Sequence, residues 1–135
     1  MARTPITVKR ELYSDFFKDL TENPVSNDLA RNTNEEAVKE AIKNLLLTDK
    51  GERLFQPTLG GDIRRLLFDN ITPASLIVIK EVVRETIENH EPRADLIGVD
   101  VKSAVDDNSI QITVIFNVIN SEEDVTLITT IARVR

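Results

Sequence analysis

The chain has 135 residues, of which 41% are hydrophobic and 30% charged, and a net charge of -6. That size and balance fit one globular domain with a modest core. The absence of cysteine excludes disulfides and thiolate chemistry. The acidic balance disfavours a nucleic-acid backbone as partner. No apolar run reaches the roughly 20 residues a membrane-crossing helix needs.

Residues 1–32 carry few periodic cues and read as an N-terminal anchoring arm, with 33–135 as a single domain. Within the arm, Tyr13, Phe16, Phe17 and Leu20 have the spacing of one apolar face of a short helix, ended by Asn23-Pro24. A first long helix is then signalled by Thr33 and Glu36, the spacing of a capping box. Val38, Ala41, Ile42, Leu45 and Leu46 recur at helical period, and Lys50-Gly51 offers a basic last turn and a left-handed cap. After a connector, Gly60-Gly61 precedes a compact helix with Ile63, Leu66, Leu67 and Phe68 on its buried side. Thr72-Pro73 opens a third helix, with a capping hydroxyl and proline in the first turn. Its main stripe is Leu76, Ile79, Val83 and Ile87, widened by Ile77 and Val82.

At Glu91-Pro92-Arg93 the helix stops, because proline cannot continue it. A glutamate at a helix C-terminus is disfavoured by the macrodipole, by roughly 0.3–1 kcal/mol where exposed. Glu91 and Arg93 flank a stiff corner, so they either close locally as a salt bridge or face a partner. Beyond the corner the period changes to two. Ile97, Val99, Val101 and Val105 alternate with mostly polar residues, and Asp106-Asp107-Asn108 is a turn. Ile110, Ile112, Val114, Phe116 and Val118 alternate next, with Ile115 and Ile119 making the other face partly apolar. After the turn at Asn120–Asp124, a last strand runs from Val125 to Val134. The expected fold is α+β, with three main helices on one face of an antiparallel meander of about three strands.

Chemistry is poorly provided for. His90 is the sole histidine and has no serine elbow or orienting carboxylate in sequence. Without cysteine, a metal would have only oxygen ligands besides it, and Asp106-Asp107-Asn108 lacks the glycine and terminal glutamate of a calcium loop. No metal or cofactor is expected. Glycoside hydrolysis needs only two carboxylates, with Glu52 and Glu91 as candidates. The missing tryptophan and single tyrosine speak against a sugar cleft. Lys9-Arg10, Arg64-Arg65 and Arg84 fall on different elements and read as solvated faces.

In order, Ile42-Lys43-Asn44-Leu45-Leu46-Leu47-Thr48, Lys50-Gly51-Glu52-Arg53, Phe55-Gln56-Pro57 with Gly60, Leu67-Phe68-Asp69-Asn70-Ile71-Thr72-Pro73, Glu91-Pro92-Arg93, Asp106-Asp107 and Ile112 to Ile119 resemble the gene 25-like baseplate wedge family of contractile-tailed phages and related injection systems. The resemblance spans roughly residues 35–120. It implies a non-enzymatic wedge subunit in the virion's tail baseplate, assembled in the host cytoplasm. Its partners would be other wedge proteins, the tail sheath protein, and tail tube or hub neighbours. In such a subunit Glu91, Pro92 and Arg93 dock on the wedge's helical core bundle.

The sheath-binding edge is expected on the last strand: Val125, Thr126, Leu127, Ile128, Thr129, Thr130, Ile131, Ala132, Arg133 and Val134. There an exposed β-edge accepts a sheath arm as an added strand. The family also carries a lysozyme label, so a peptidoglycan-cleaving glycosidase is one alternative. A wedge adaptor without sheath contact is the other.

Overall fold

The computed structural model describes residues 10–104 and 109–133. The chain divides into two compact units, with the boundary between Ala37 and Val38.

The first unit is not the short helix expected over Tyr13–Leu20. It contains two small antiparallel ribbons: β1 (Ser14–Phe16) pairs with β4 (Arg31–Thr33), and β2 (Glu22–Asn23) pairs with β3 (Asp28–Leu29). Short polar side chains capture backbone groups that a helix would need. Asp15 and Asp28 carboxylates accept from Phe16 N–H (2.8 Å) and Leu29 N–H (2.7 Å), and Asn23 Oδ1 accepts from Val25 N–H (2.9 Å). Leu20 and Asn27 adopt positive φ, which interrupts any helical run. Phe16, Phe17 and Leu20 are consequently exposed. Asn34, at the start of α1 (Asn34–Leu47), is nearly buried and ties the ribbon down. Its Oδ1 accepts from Leu12 N–H (2.7 Å), and its Nδ2 donates to the Arg10 carbonyl (3.2 Å).

In the second unit α1 contributes Val38, Ile42, Leu45 and Leu46 to the core. The helix ends at Leu47, short of the basic residue expected in its last turn, and Lys50 lies in the following loop. That loop folds back on the helix end. Thr48 Oγ1 donates to the Asn44 carbonyl (2.7 Å), and the Thr48 carbonyl accepts from Gly61 N–H (3.3 Å). Gly60 makes the approach possible. Its φ is +113°, and a Cβ there would lie 2.2 Å from the Thr48 oxygen.

Gly60→Ala is therefore expected to cost about 2–4 kcal/mol, since a side chain in that backbone region alone strains by about 1–3 kcal/mol and the clash adds to it. Gly51, at φ +85° with nothing near its Cβ position, is the control. Gly51→Ala should lower the melting temperature, followed by circular dichroism, clearly less.

α2 (Ile63–Leu67) buries Ile63 and Leu67, but Phe68 is 58% exposed rather than on the buried side. α3 (Pro73–His90) starts as expected at Thr72, with Ser75 as its capping partner. Thr72 Oγ1 accepts from Ser75 N–H (3.2 Å) and Ser75 Oγ from Thr72 N–H (2.7 Å). Ile79, Val83, Thr86 and Ile87 are its buried stripe, while Ile77 is exposed.

Three strands follow in the order β5 (Ala94–Ala104), β6 (Ser109–Val118) and β7 (Asp124–Ala132), all antiparallel. Val105 and the turn Asp106-Asp107-Asn108 lie outside the described residues. Ile110, Ile112, Val114, Phe116 and Val118 of β6 are buried with Leu127 and Ile131 of β7. Each such side chain contributes roughly 1.5–3 kcal/mol on burial. The other face is open, with Ile97, Ile115, Ile119 and Ile128 exposed.

β5 departs from the expected alternation. Its register with β6 shifts between Leu96 and Gly98, so the bulge turns Ile97 outward, 54% exposed. Leu96 and Val99, not Ile97, continue the inner face opposite Phe116 and Val114.

Candidate functional site

Glu91, Pro92 and Arg93 form the turn between α3 and β5, and here the pair closes locally. Arg93 Nε and Nη2 donate to the two carboxylate oxygens of Glu91 at 2.6 and 2.8 Å. This fork-to-carboxylate match fixes orientation as well as distance. The Glu91 side chain is 8% exposed and that of Arg93 31%, so the guanidinium is the member that reaches the surface, beside exposed Pro92.

Backbone bonds hold the corner on both sides. Glu91 N–H donates to the Ile87 carbonyl (2.9 Å), closing the helix, and the Arg93 carbonyl accepts from Ile119 N–H (3.0 Å), starting the sheet. The neighbouring His90 places Nδ1 3.0 Å from the Thr86 carbonyl oxygen. Since a carbonyl only accepts, that nitrogen carries the proton.

The geometry disfavours the paired-carboxylate reading. Both Glu91 oxygens accept from one guanidinium, the arrangement of an ion pair and not of a proton donor. Glu52 Oε2 accepts from Asp49 N–H (3.0 Å) and braces the loop after α1. No group of three or more histidine, cysteine, aspartate or glutamate residues suited to a metal ion is found among the described residues.

The second feature is the border of the sheet. The Arg93–Ile119 bond marks a hydrogen-bonded pair, and β6 continues from it without a register break. In an antiparallel ladder such pairs alternate. Asn117, Ile115, Thr113 and Gln111 thus turn their backbone groups toward β5. Val118, Phe116, Val114, Ile112 and Ile110 turn theirs toward β7. Their partners Val125, Leu127, Thr129 and Ile131 bond back.

Thr126, Ile128 and Thr130 are left directing N–H and C=O away from the sheet. All three are exposed, and β7 pairs only with β6 among the described residues. Of the expected edge residues, Arg133 follows the strand and Val134 lies outside the described residues. Leu127, Thr129 and Ile131 point into the core, so the side chains on offer are Thr126, Ile128 and Thr130.

Sequence reasoning missed two groups. Leu54 and Phe55, at 86% and 100% exposure, stand on the loop after α1. Lys50, Arg64, Arg65 and Arg133, four cations from three separate elements, meet beside the end of β7.

Comparison with known proteins settles the family. The model for "Baseplate wedge protein gp25" matches residues 32–123. The chain belongs to the baseplate wedge protein gp25 family. Baseplate wedge protein gp25 of Enterobacteria phage T4 is 29% identical over 115 residues, spanning 85% of this chain and 86% of that protein.

Among solved structures, a putative tail lysozyme from Geobacter sulfurreducens superposes with a TM-score of 0.68 at 26% identity, over 75% of this chain and 92% of that one. A chain of the anti-feeding prophage baseplate gives 0.62 at 23% identity, over 91% and 87%, which speaks to the fold. As a gp25 family member the chain is a structural protein of a contractile-tail baseplate, and its partners include other baseplate proteins.

Proposed function

We propose that this chain is the wedge subunit on which the tail sheath starts to grow. It seats on the helical core bundle of the wedge through Glu91, Pro92 and Arg93, and offers the outer border of β7 to an arm of the first sheath subunit. The observation that carries the reading is the unpaired border at Thr126, Ile128 and Thr130. An exposed edge of this kind is an aggregation hazard that proteins normally blunt with charge, proline or a bulge. From Val125 to Ala132 there is no charge and no proline, and the register with β6 is unbroken.

The other outer strand, β5, is interrupted by the bulge at Ile97 and packs with α3. An added strand on β7 would gain ladder hydrogen bonds for affinity and alternate side-chain contacts for register.

The corner supplies seating. Glu91 holds Arg93 in one orientation, and Pro92 fixes the backbone between them, so the guanidinium meets the wedge bundle already ordered. Wedges reconstituted with and without the chain, then given purified sheath protein, test the reading by light scattering. Sheath should polymerise only on wedges that carry it. Equal growth on both would leave a wedge adaptor without sheath contact. Clearing of a peptidoglycan suspension by the purified chain would instead support the glycosidase.

A further inference from the structure

Beside the end of β7 lies a cleft of about 440 Å³ that draws its walls from the loop after α1, from α2 and from the residues that end β7. Lys50, Arg64, Arg65 and Arg133 line it. Two carboxylates share the space, Asp62 engaged and Asp49 only in part, its Oδ1 being buried without a hydrogen-bond partner among the described residues. Asp62 Oδ1 accepts from Lys50 N–H (2.8 Å), and Asp49 Oδ2 lies 3.9 Å from Arg64 Nη1. Arg65 and Arg133 have no ion-pair partner among the described residues, and both are exposed. In a chain of net charge -6, four cations against two carboxylates invert the local sign. Phe68 forms an apolar wall, with the Arg133 guanidinium 6.0 Å from its ring centroid.

We propose that this cleft receives an acidic flank of the strand that pairs with β7. The inference rests on the reading of β7 as the sheath-binding border and names the chemistry of the arm. A strand on that border runs past Ala132, which itself lines the cleft. At about 3.3 Å per residue, its next one or two residues reach the arginines. A carboxylate there accepts from the forked donors of Arg65 or Arg133, and an adjacent apolar side chain covers Phe68. The charges steer and register the arm, while the ladder holds it.

The test is seeded sheath growth on wedges carrying the full chain, as wild type, as Arg65→Glu with Arg133→Glu, and as the milder Arg65→Gln with Arg133→Gln. Each variant is first checked for folding by circular dichroism. Seeding by wild type should slow as salt rises. The glutamate variant should seed roughly tenfold more slowly at about 0.01 M salt, and the gap should close toward about 1 M, where the screening length is only about 3 Å. The glutamine variant should fall between.

Wild-type seeding rates from the charge variants, while Ile128→Pro blocks growth, would overturn this inference and leave the border intact. Normal growth on Ile128→Pro would remove both. A defect indifferent to salt would also overturn the proposal. So would binding of a single-stranded DNA oligonucleotide by wild type that the glutamate variant loses.

Discussion

Ile128→Pro should stop sheath growth while leaving the chain folded and bound to the wedge. The backbone N–H of Ile128 points to the outer border, so proline removes a donor that β6 never uses. Its side chain is 59% exposed on the open face, so no core contact is lost. The residue before it, Leu127, is already extended, as proline requires. An arm pairing with β7 would lose one ladder bond and meet the pyrrolidine ring in the middle of the register.

A fall in seeding of more than about tenfold is expected from a loss of about 1.4 kcal/mol or more. Ile128→Thr keeps the N–H and should seed normally, which separates backbone from side chain. Thr129→Pro is the opposite control. Its N–H bonds to β6 and its side chain is buried, so it should unfold. Full sheath growth on folded Ile128→Pro would move the docking surface off β7.

Arg93→Ala is expected to prevent wedge incorporation, and also to weaken the fold. Glu91 is 6% exposed, and the substitution removes the forked donor that satisfies both of its oxygens. Stranding one member of a buried pair costs about 3–5 kcal/mol; with water able to reach the arginine side, roughly 2–4 kcal/mol is expected. For a chain of this size that is a fall of roughly 8–15 °C in melting temperature.

Glu91→Gln with Arg93→Ala should recover part of the stability, because the stranded charge is gone, but none of the wedge binding. The comparison separates the corner's part in stability from the wedge docking proposed for it. A double variant that bound the wedge normally would reduce Glu91 and Arg93 to a structural clasp.

The elements with strong periodicity were legible. The stripe Ile79, Val83 and Ile87 and the β6 alternation from Ile110 to Val118 are written in single, unbroken patterns, and Thr72-Pro73 marks a start by local chemistry alone. Where the sequence misled, tertiary or side-chain-to-backbone effects intervened. Tyr13, Phe16, Phe17 and Leu20 have helical spacing, yet Asp15, Asn23 and Asp28 draw the backbone into ribbons instead. One extra residue in β5 moves Ile97 out and Leu96 in, and its only local mark is Gly98, a glycine inside a strand pattern, at the register shift.

Phe68 has the spacing of a buried residue but lies beyond the last turn of α2, where that face no longer meets the core. For Glu91 and Arg93 the sequence left open whether they close on each other or face a partner. The structure shows the local pair. The cationic cleft was illegible because Lys50, Arg65 and Arg133 are neighbours only after folding.

The border of β7 also has a mechanical side. A chain laid along it and dragged parallel to the strand must rupture its bonds at Thr126, Ile128 and Thr130 together, in shear. One peeled sideways opens them in succession like a zip. Such a joint is tough along one axis and yielding across it, so the direction in which a contracting sleeve tugs would decide whether the first ring stays attached.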